Sequence, residues 1–191
     1  ARDRIDDARE NFGLITEQID RVTRIIRSLR AFARREKETV EPIDLQSVIS
    51  ESLTLSQARI KAANVDVHRD AGTSPVMIMG GHVRMQQVVI NLLTNAIDAM
   101  KSVDNRRIDI ELRDAAHTVA LVIRDTGSGL SNPARVFEPF YSTKDVGASN
   151  GMGLGLSISY GIVGTFGGEM TCRNHPDGGA EFTVTLRKAM L

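Results

Sequence analysis

The sequence predicts an α+β fold: a two-layer α/β sandwich in which a mixed sheet is covered on one face by helices, preceded by one long helix. Three observations carry this. Apolar residues recur in alternating steps of 3 and 4 from Ile5 to Ala33. A second strongly helical pattern spans Val83–Lys101. The C-terminal half is rich in strand-like runs bounded by glycine, proline and asparagine.

The first pattern comprises Ile5, Ala8, Phe12, Ile15, Ile19, Val22, Ile26, Leu29 and Ala33. This is an a/d seam and calls for a partner helix; Gly13 weakens it locally. The charged segment Glu36–Pro42 ends the helix and places a domain boundary near residue 40, dividing the chain into 1–40 and 41–191. Asp44 is placed to cap a helix over 45–61, with Leu45, Val48, Ile49 and Leu53 on one face. Val65–Arg69 and Val76–Met79 read as short strands.

In Val83–Lys101 the apolar face holds Met85, Val89, Leu92, Leu93, Ala96, Ile97 and Met100. Arg84, Asn91, Asn95 and Asp98 fall opposite. Periodicity alone makes this a solvent face. Composition argues otherwise, because asparagine is a poor helix former and two at i, i+4 need a reason. An amide oxygen suits Mg²⁺, which also keeps waters and substrate phosphates. Arg107–Arg113 and Val119–Asp125 form an antiparallel pair, which puts Asp125 at the C-terminal end of a central strand. Leu154–Phe166 is then a helix, and Glu169–Asn174 and Glu181–Arg187 are strands around a glycine-containing turn.

Net charge is zero over 191 residues, so bulk electrostatics gives no case for nucleic acid or an anionic membrane. The single cysteine, Cys172, excludes an intramolecular disulfide and fits a reducing, cytoplasmic compartment. There is no membrane-spanning apolar run and no signal peptide, and a chain that starts in mid-pattern is expected to be part of a longer protein.

The chemistry concentrates between Asp125 and Ser157, a stretch that includes DTGSGL, FEPFYSTK and NGMGLGLS and holds six glycines in all and one lysine in an aromatic setting. Glycines leading into a helix N-terminus favour an anion. The Gly151–Gly155 spacing is G-x-G-x-G and no G-K-[ST] follows, which excludes the dinucleotide and P-loop fingerprints. Each cluster alone could be an ordinary turn; their order and spacing carry the weight.

Taken together, these segments resemble the catalytic core of a sensor histidine kinase, with the Bergerat ATP-binding fold shared by gyrase, Hsp90, MutL and histidine kinases. QQVVINLLTNAIDAM resembles the N box, DTGSGL the G1 box, FEPFYSTK the F box and GMGLGLS the G2 box. The heptad helix resembles the second helix of a dimerisation and phosphoacceptor hairpin. The likeness covers nearly the whole chain and is closest to nitrogen-regulation and dicarboxylate-transport sensor kinases. It implies ATP and Mg²⁺ as cofactors, a response-regulator receiver domain as partner, and homodimerisation through the N-terminal helix.

Residue by residue, the resemblance implies Asn95 as Mg²⁺ ligand and Asn91 as a phosphate contact. Asp125 would accept from the adenine amino group, with Gly127 and Gly129 turning the backbone under the base. Phe137, Phe140 and Tyr141 would anchor a lid and Lys144 would reach the phosphates. Gly151, Gly153, Leu154 and Gly155 would hinge the lid and offer amides, and Thr183 would touch the base. Asp98 stands where many such kinases carry lysine, and Gly81 where aspartate is common. The histidines are His68, His82, His117 and His175, none of them on the heptad helix, so the acceptor histidine is expected upstream. A hydrolytic ATPase of the gyrase type would need a glutamate where Asn91 stands. A non-enzymatic nucleotide-sensing module is the third reading.

Overall fold

The computed structural model describes residues 40–70, 72, 74–142 and 153–189. The heptad helix, the proposed boundary near residue 40, Lys144 and Gly151 lie outside the described residues.

The described chain starts with β1 (Glu41–Asp44), α1 (Leu45–Ala62), β2 (Asp66–Asp70), β3 (Met77–Gly80) and α2 (His82–Ala99). It continues with β4 (Arg107–Asp114), β5 (Thr118–Asp125), α3 (Gly155–Thr165), β6 (Glu169–Asn174) and β7 (Ala180–Arg187). Five strands form one sheet in the order β2-β4-β5-β7-β6. Only the β2–β4 pairing is parallel, so the sheet is mixed. The most central strand is β5, whose last residue is Asp125.

Strand alternation sorts the sheet into two unlike faces. Ile108, Ile110, Val119, Leu121, Ile123, Phe182, Val184 and Leu186 are buried against Leu92, Leu93, Ile97, Ile162 and Val163 of α2 and α3. The opposite face carries Glu111, Arg113, Arg124, Arg173, Glu181 and Thr183. Helices therefore cover one side, as the patterning predicts.

Asp44 caps α1: its Oδ1 accepts from the Gln46 amide at 3.0 Å and also from the Val76 amide at 2.9 Å. The cap thus fastens the helix start to the segment leading into β3. The sequence reading missed β1, which pairs antiparallel with β3 and sets Ile43 opposite Ile78. Four residues with one apolar anchor give too little alternation to detect.

Asp98 departs from expectation. It does not share an open face with the asparagines: its side chain is 3% exposed and lies 2.9 Å from both Arg59 of α1 and Lys101. The end of α2 turns this carboxylate toward α1 instead. Among the described residues, no helix is long and apolar enough to cross a membrane.

Candidate nucleotide site

The site is built along one row of α2. Asn91, Asn95 and Ala99 are spaced i, i+4, i+8 and so share a face, with about 12 Å of rise from first to last. Each end of this row touches a different glycine segment.

At the C-terminal end, the Ala99 carbonyl accepts from the Ser128 amide at 3.2 Å. A Cβ added at Gly127 would meet that same oxygen at 2.7 Å, so the turn lies flush on the helix end only because residue 127 has no side chain. Asp125 enters this turn 2% exposed. Its Oδ1 accepts from the Gly127 amide at 2.8 Å and the Ala180 amide at 3.3 Å. Burial pushes its carboxyl above the ordinary aspartate range, while the two amides and the Arg124 guanidinium pull it back. Thr126 Oγ1 donates to the Asn105 carbonyl and accepts from the Arg107 amide at 2.9 Å, tying the turn to the start of β4.

At the N-terminal end, Asn91 faces α3. Its Nδ2 donates to Ser159 Oγ at 2.9 Å. Leu154 precedes α3 and is 7% exposed, its carbonyl accepting from Ser157 Oγ at 3.0 Å. Gly153 has φ +64, a left-handed conformation, and a Cβ there would meet the Tyr141 carbonyl at 2.4 Å. The Phe140 amide donates to the Gly153 carbonyl at 3.0 Å, so residues 140 and 153 close a neck.

The aromatic segment folds beside this neck. Phe137 packs on the core, its ring 5.0 Å from that of Tyr160 on α3. Arg135 lies over the Tyr141 ring at 4.9 Å. Phe140 is 63% exposed and adopts φ +66, which is unusual for a residue with a side chain.

The structure thus brings together Asn91, Asn95, Asp125, Gly127, Gly129, Leu154 and Gly155 along α2 and its neighbours, with Phe137, Phe140, Tyr141 and Gly153 at the neck. It does not bring Thr183 to them. Thr183 pairs with Val122 and Thr171, on the sheet face opposite Asp125. The β7 residue that reaches Asp125 is Ala180, through its backbone. Sequence reasoning also missed Ser159, Tyr160 and Asn174; Asn174 was legible only as the end of a strand.

Asn95 is half-buried on the shared row, and among the described residues no cluster of three His, Cys, Asp or Glu side chains could hold an ion. A single neutral amide oxygen fits Mg²⁺ only as one ligand among substrate phosphates and waters. The residues present therefore fit a metal that arrives with its nucleotide.

Residues 80–190 match the family described as histidine kinase-, DNA gyrase B-, and HSP90-like ATPase. The C4-dicarboxylate transport sensor protein DctB of Pseudomonas aeruginosa is 36% identical over 96% of this chain, which spans 30% of that protein's length. The catalytic domain of histidine kinase ThkA, in a nucleotide-free form, superposes with TM-score 0.69 at 27% identity, covering 79% of this chain and 99% of that domain. Histidine kinase ThkA in complex with response regulator protein TrrA gives TM-score 0.73 at 25% identity over 92% of this chain and 50% of that one. With a buried aspartate ending the central strand and an asparagine row on the adjoining helix, the chain belongs to the histidine kinase-, DNA gyrase B-, and HSP90-like ATPase family.

Proposed function

We propose that the chain is the ATP-binding catalytic core of a two-component sensor histidine kinase. It transfers the γ-phosphoryl group of Mg-ATP to a histidine on a helix outside this chain, for relay to a response-regulator aspartate. The observation that carries the reading is Asp125: a carboxylate buried at the end of the central strand, with Oδ1 held by two amides. A buried acceptor of this kind selects adenine, which presents an amino group, over guanine, which presents a carbonyl there.

The other roles follow from position. Asn95 supplies an amide oxygen to the metal that accompanies the phosphates. Asn91 and the start of α3 define the phosphate end, and for Lys144 the resemblance alone implies a phosphate contact. Bound Mg²⁺ supplies neutralisation of phosphate charge; the chain's own residues orient the nucleotide and exclude water. Asn91 also favours transfer over hydrolysis, since an amide cannot deprotonate water.

The four histidines support an acceptor elsewhere. His68 lies on β2, His117 in the β4–β5 turn and His175 beyond β6, while His82 opens α2 and contacts Glu51 at 2.8 Å. The reading also makes the protein's location cytoplasmic and its intact form a homodimer. Calorimetric titration with ATP tests the site: the parent chain should bind and Asp125→Asn should not, whereas equal affinity would sink the assignment.

A further inference from the structure

We propose that Asn174 is a positioning residue for the base end of the site, holding the exit of the Asp125–Leu130 turn as Ala180 holds its entrance. The proposal rests on the reading of that turn as the base pocket.

The last residue of β6, Asn174 has an exposed side chain that nevertheless makes two hydrogen bonds to the turn. Its Oδ1 accepts from the Leu130 amide at 2.6 Å, and its Nδ2 donates to the Leu130 carbonyl at 2.9 Å. One carboxamide therefore satisfies both backbone groups of a single residue, as a neighbouring strand would. A carboxamide presents a neutral donor and acceptor side by side in this way, without having to be protonated. The glycine before Leu130 is fitted to it: Gly129 has φ +75, and a Cβ there would meet Asn174 Oδ1 at 2.9 Å.

The ladder explains why this residue matters. Asn174 and Ala180 are partners on one rung of the β6–β7 hairpin. From that rung, the Ala180 amide reaches Asp125 and the Asn174 side chain reaches Leu130. A single pair of residues thus fixes both ends of the turn. The hairpin turn also lies hard against it, because a Cβ at Gly179 would meet the Asp125 carbonyl at 1.8 Å. Holding a loop in its binding conformation raises affinity by removing the ordering cost that binding would otherwise carry.

The test uses the whole 191-residue chain and two exposed substitutions on β6. Asn174→Ala removes the clamp. Arg173→Ala is the control: its side chain contacts Glu181 on the opposite sheet face. Calorimetric titration with ATP and with ADP gives affinity, and amide hydrogen exchange reads Leu130 in the nucleotide-free chain. Asn174→Ala should weaken both nucleotides by the same factor, about fivefold to tenfold for two solvent-accessible hydrogen bonds. It should speed exchange at Leu130 and leave the unfolding midpoint without nucleotide nearly unchanged. Arg173→Ala should change neither affinity. Faster Leu130 exchange with unchanged affinity would overturn the proposal, as would an equal loss in the control. Unequal losses for ATP and ADP would also overturn it, since they place the effect at the phosphates. If Asp125→Asn binds ADP as well as the parent does, the base-pocket reading itself fails, and that result is separate from the Asn174 comparison.

Discussion

Asn91 Oδ1 occupies the space that a side chain at residue 155 would need: a Cβ built on Gly155 would meet it at 2.3 Å. Helices α2 and α3 can therefore approach as they do only with glycine at the start of α3. That contact joins the proposed phosphate end of the site to the first turn of α3.

Gly155→Ala should push α3 away from Asn91 and destabilise the chain by about 1–3 kcal/mol, the usual cost of overpacking. Gly161, on the same helix, has open space around it. Gly161→Ala should instead stabilise by roughly 0.5–1 kcal/mol through helix propensity. Chemical denaturation of both variants measures the contrast, and equal signs would contradict the packing argument.

Asp125→Asn should abolish ATP and ADP binding, since it removes a charge-assisted hydrogen bond that by itself accounts for at least about tenfold in affinity. It should also stabilise the empty chain at neutral pH. Burial raises the folded pKa of Asp125. Between the unfolded and folded values the folded state binds more protons, so the stability of the parent falls as pH rises through that window. The asparagine variant has no such slope at this site and keeps an oxygen for the Gly127 and Ala180 amides. Denaturation from acid to neutral pH should therefore show the variant's advantage growing with pH and levelling off above the folded pKa.

Much of this site is legible in the sequence, for identifiable reasons. Asp44 precedes a periodic run and is found as a cap. The glycine segments around Asp125 and Gly153 announce unusual backbone. The alternation in β7 could have corrected Thr183 beforehand: if Phe182, Val184 and Leu186 point inward, Thr183 points outward. Asp98 was misplaced because periodicity gives an angle around α2 but not which neighbour fills it. The Asn174 clamp depends on which strand lies beside the turn, and no local pattern encodes that.

The Arg59–Asp98 pair should respond asymmetrically to truncation. Asp98 is 3% exposed and Arg59 40% exposed. Arg59→Ala strips one of two cations from a buried carboxylate and leaves it with Lys101, whereas Asp98→Ala leaves two partly exposed cations, Arg59 and Lys101, that can turn to water. Arg59→Ala should thus be the more destabilising, by about 1 kcal/mol once solvent screening is allowed for. Equal losses in denaturation would mean that the carboxylate is better hydrated than its burial indicates.

Asn95→Ala should remove the Mg²⁺ dependence of ATP binding while leaving ADP binding without metal largely intact. Titrations with and without Mg²⁺ read this directly, and a retained metal dependence would assign the metal to another ligand.

Phosphotransfer tests the central claim most directly. The chain is incubated with γ-labelled ATP and Mg²⁺, alone and with a polypeptide carrying an acceptor-histidine helix. The account predicts acid-labile label on the added histidine, none on this chain, and no transfer with Asp125→Asn. Label on any of the four histidines of this chain, or release of inorganic phosphate without transfer, would contradict it.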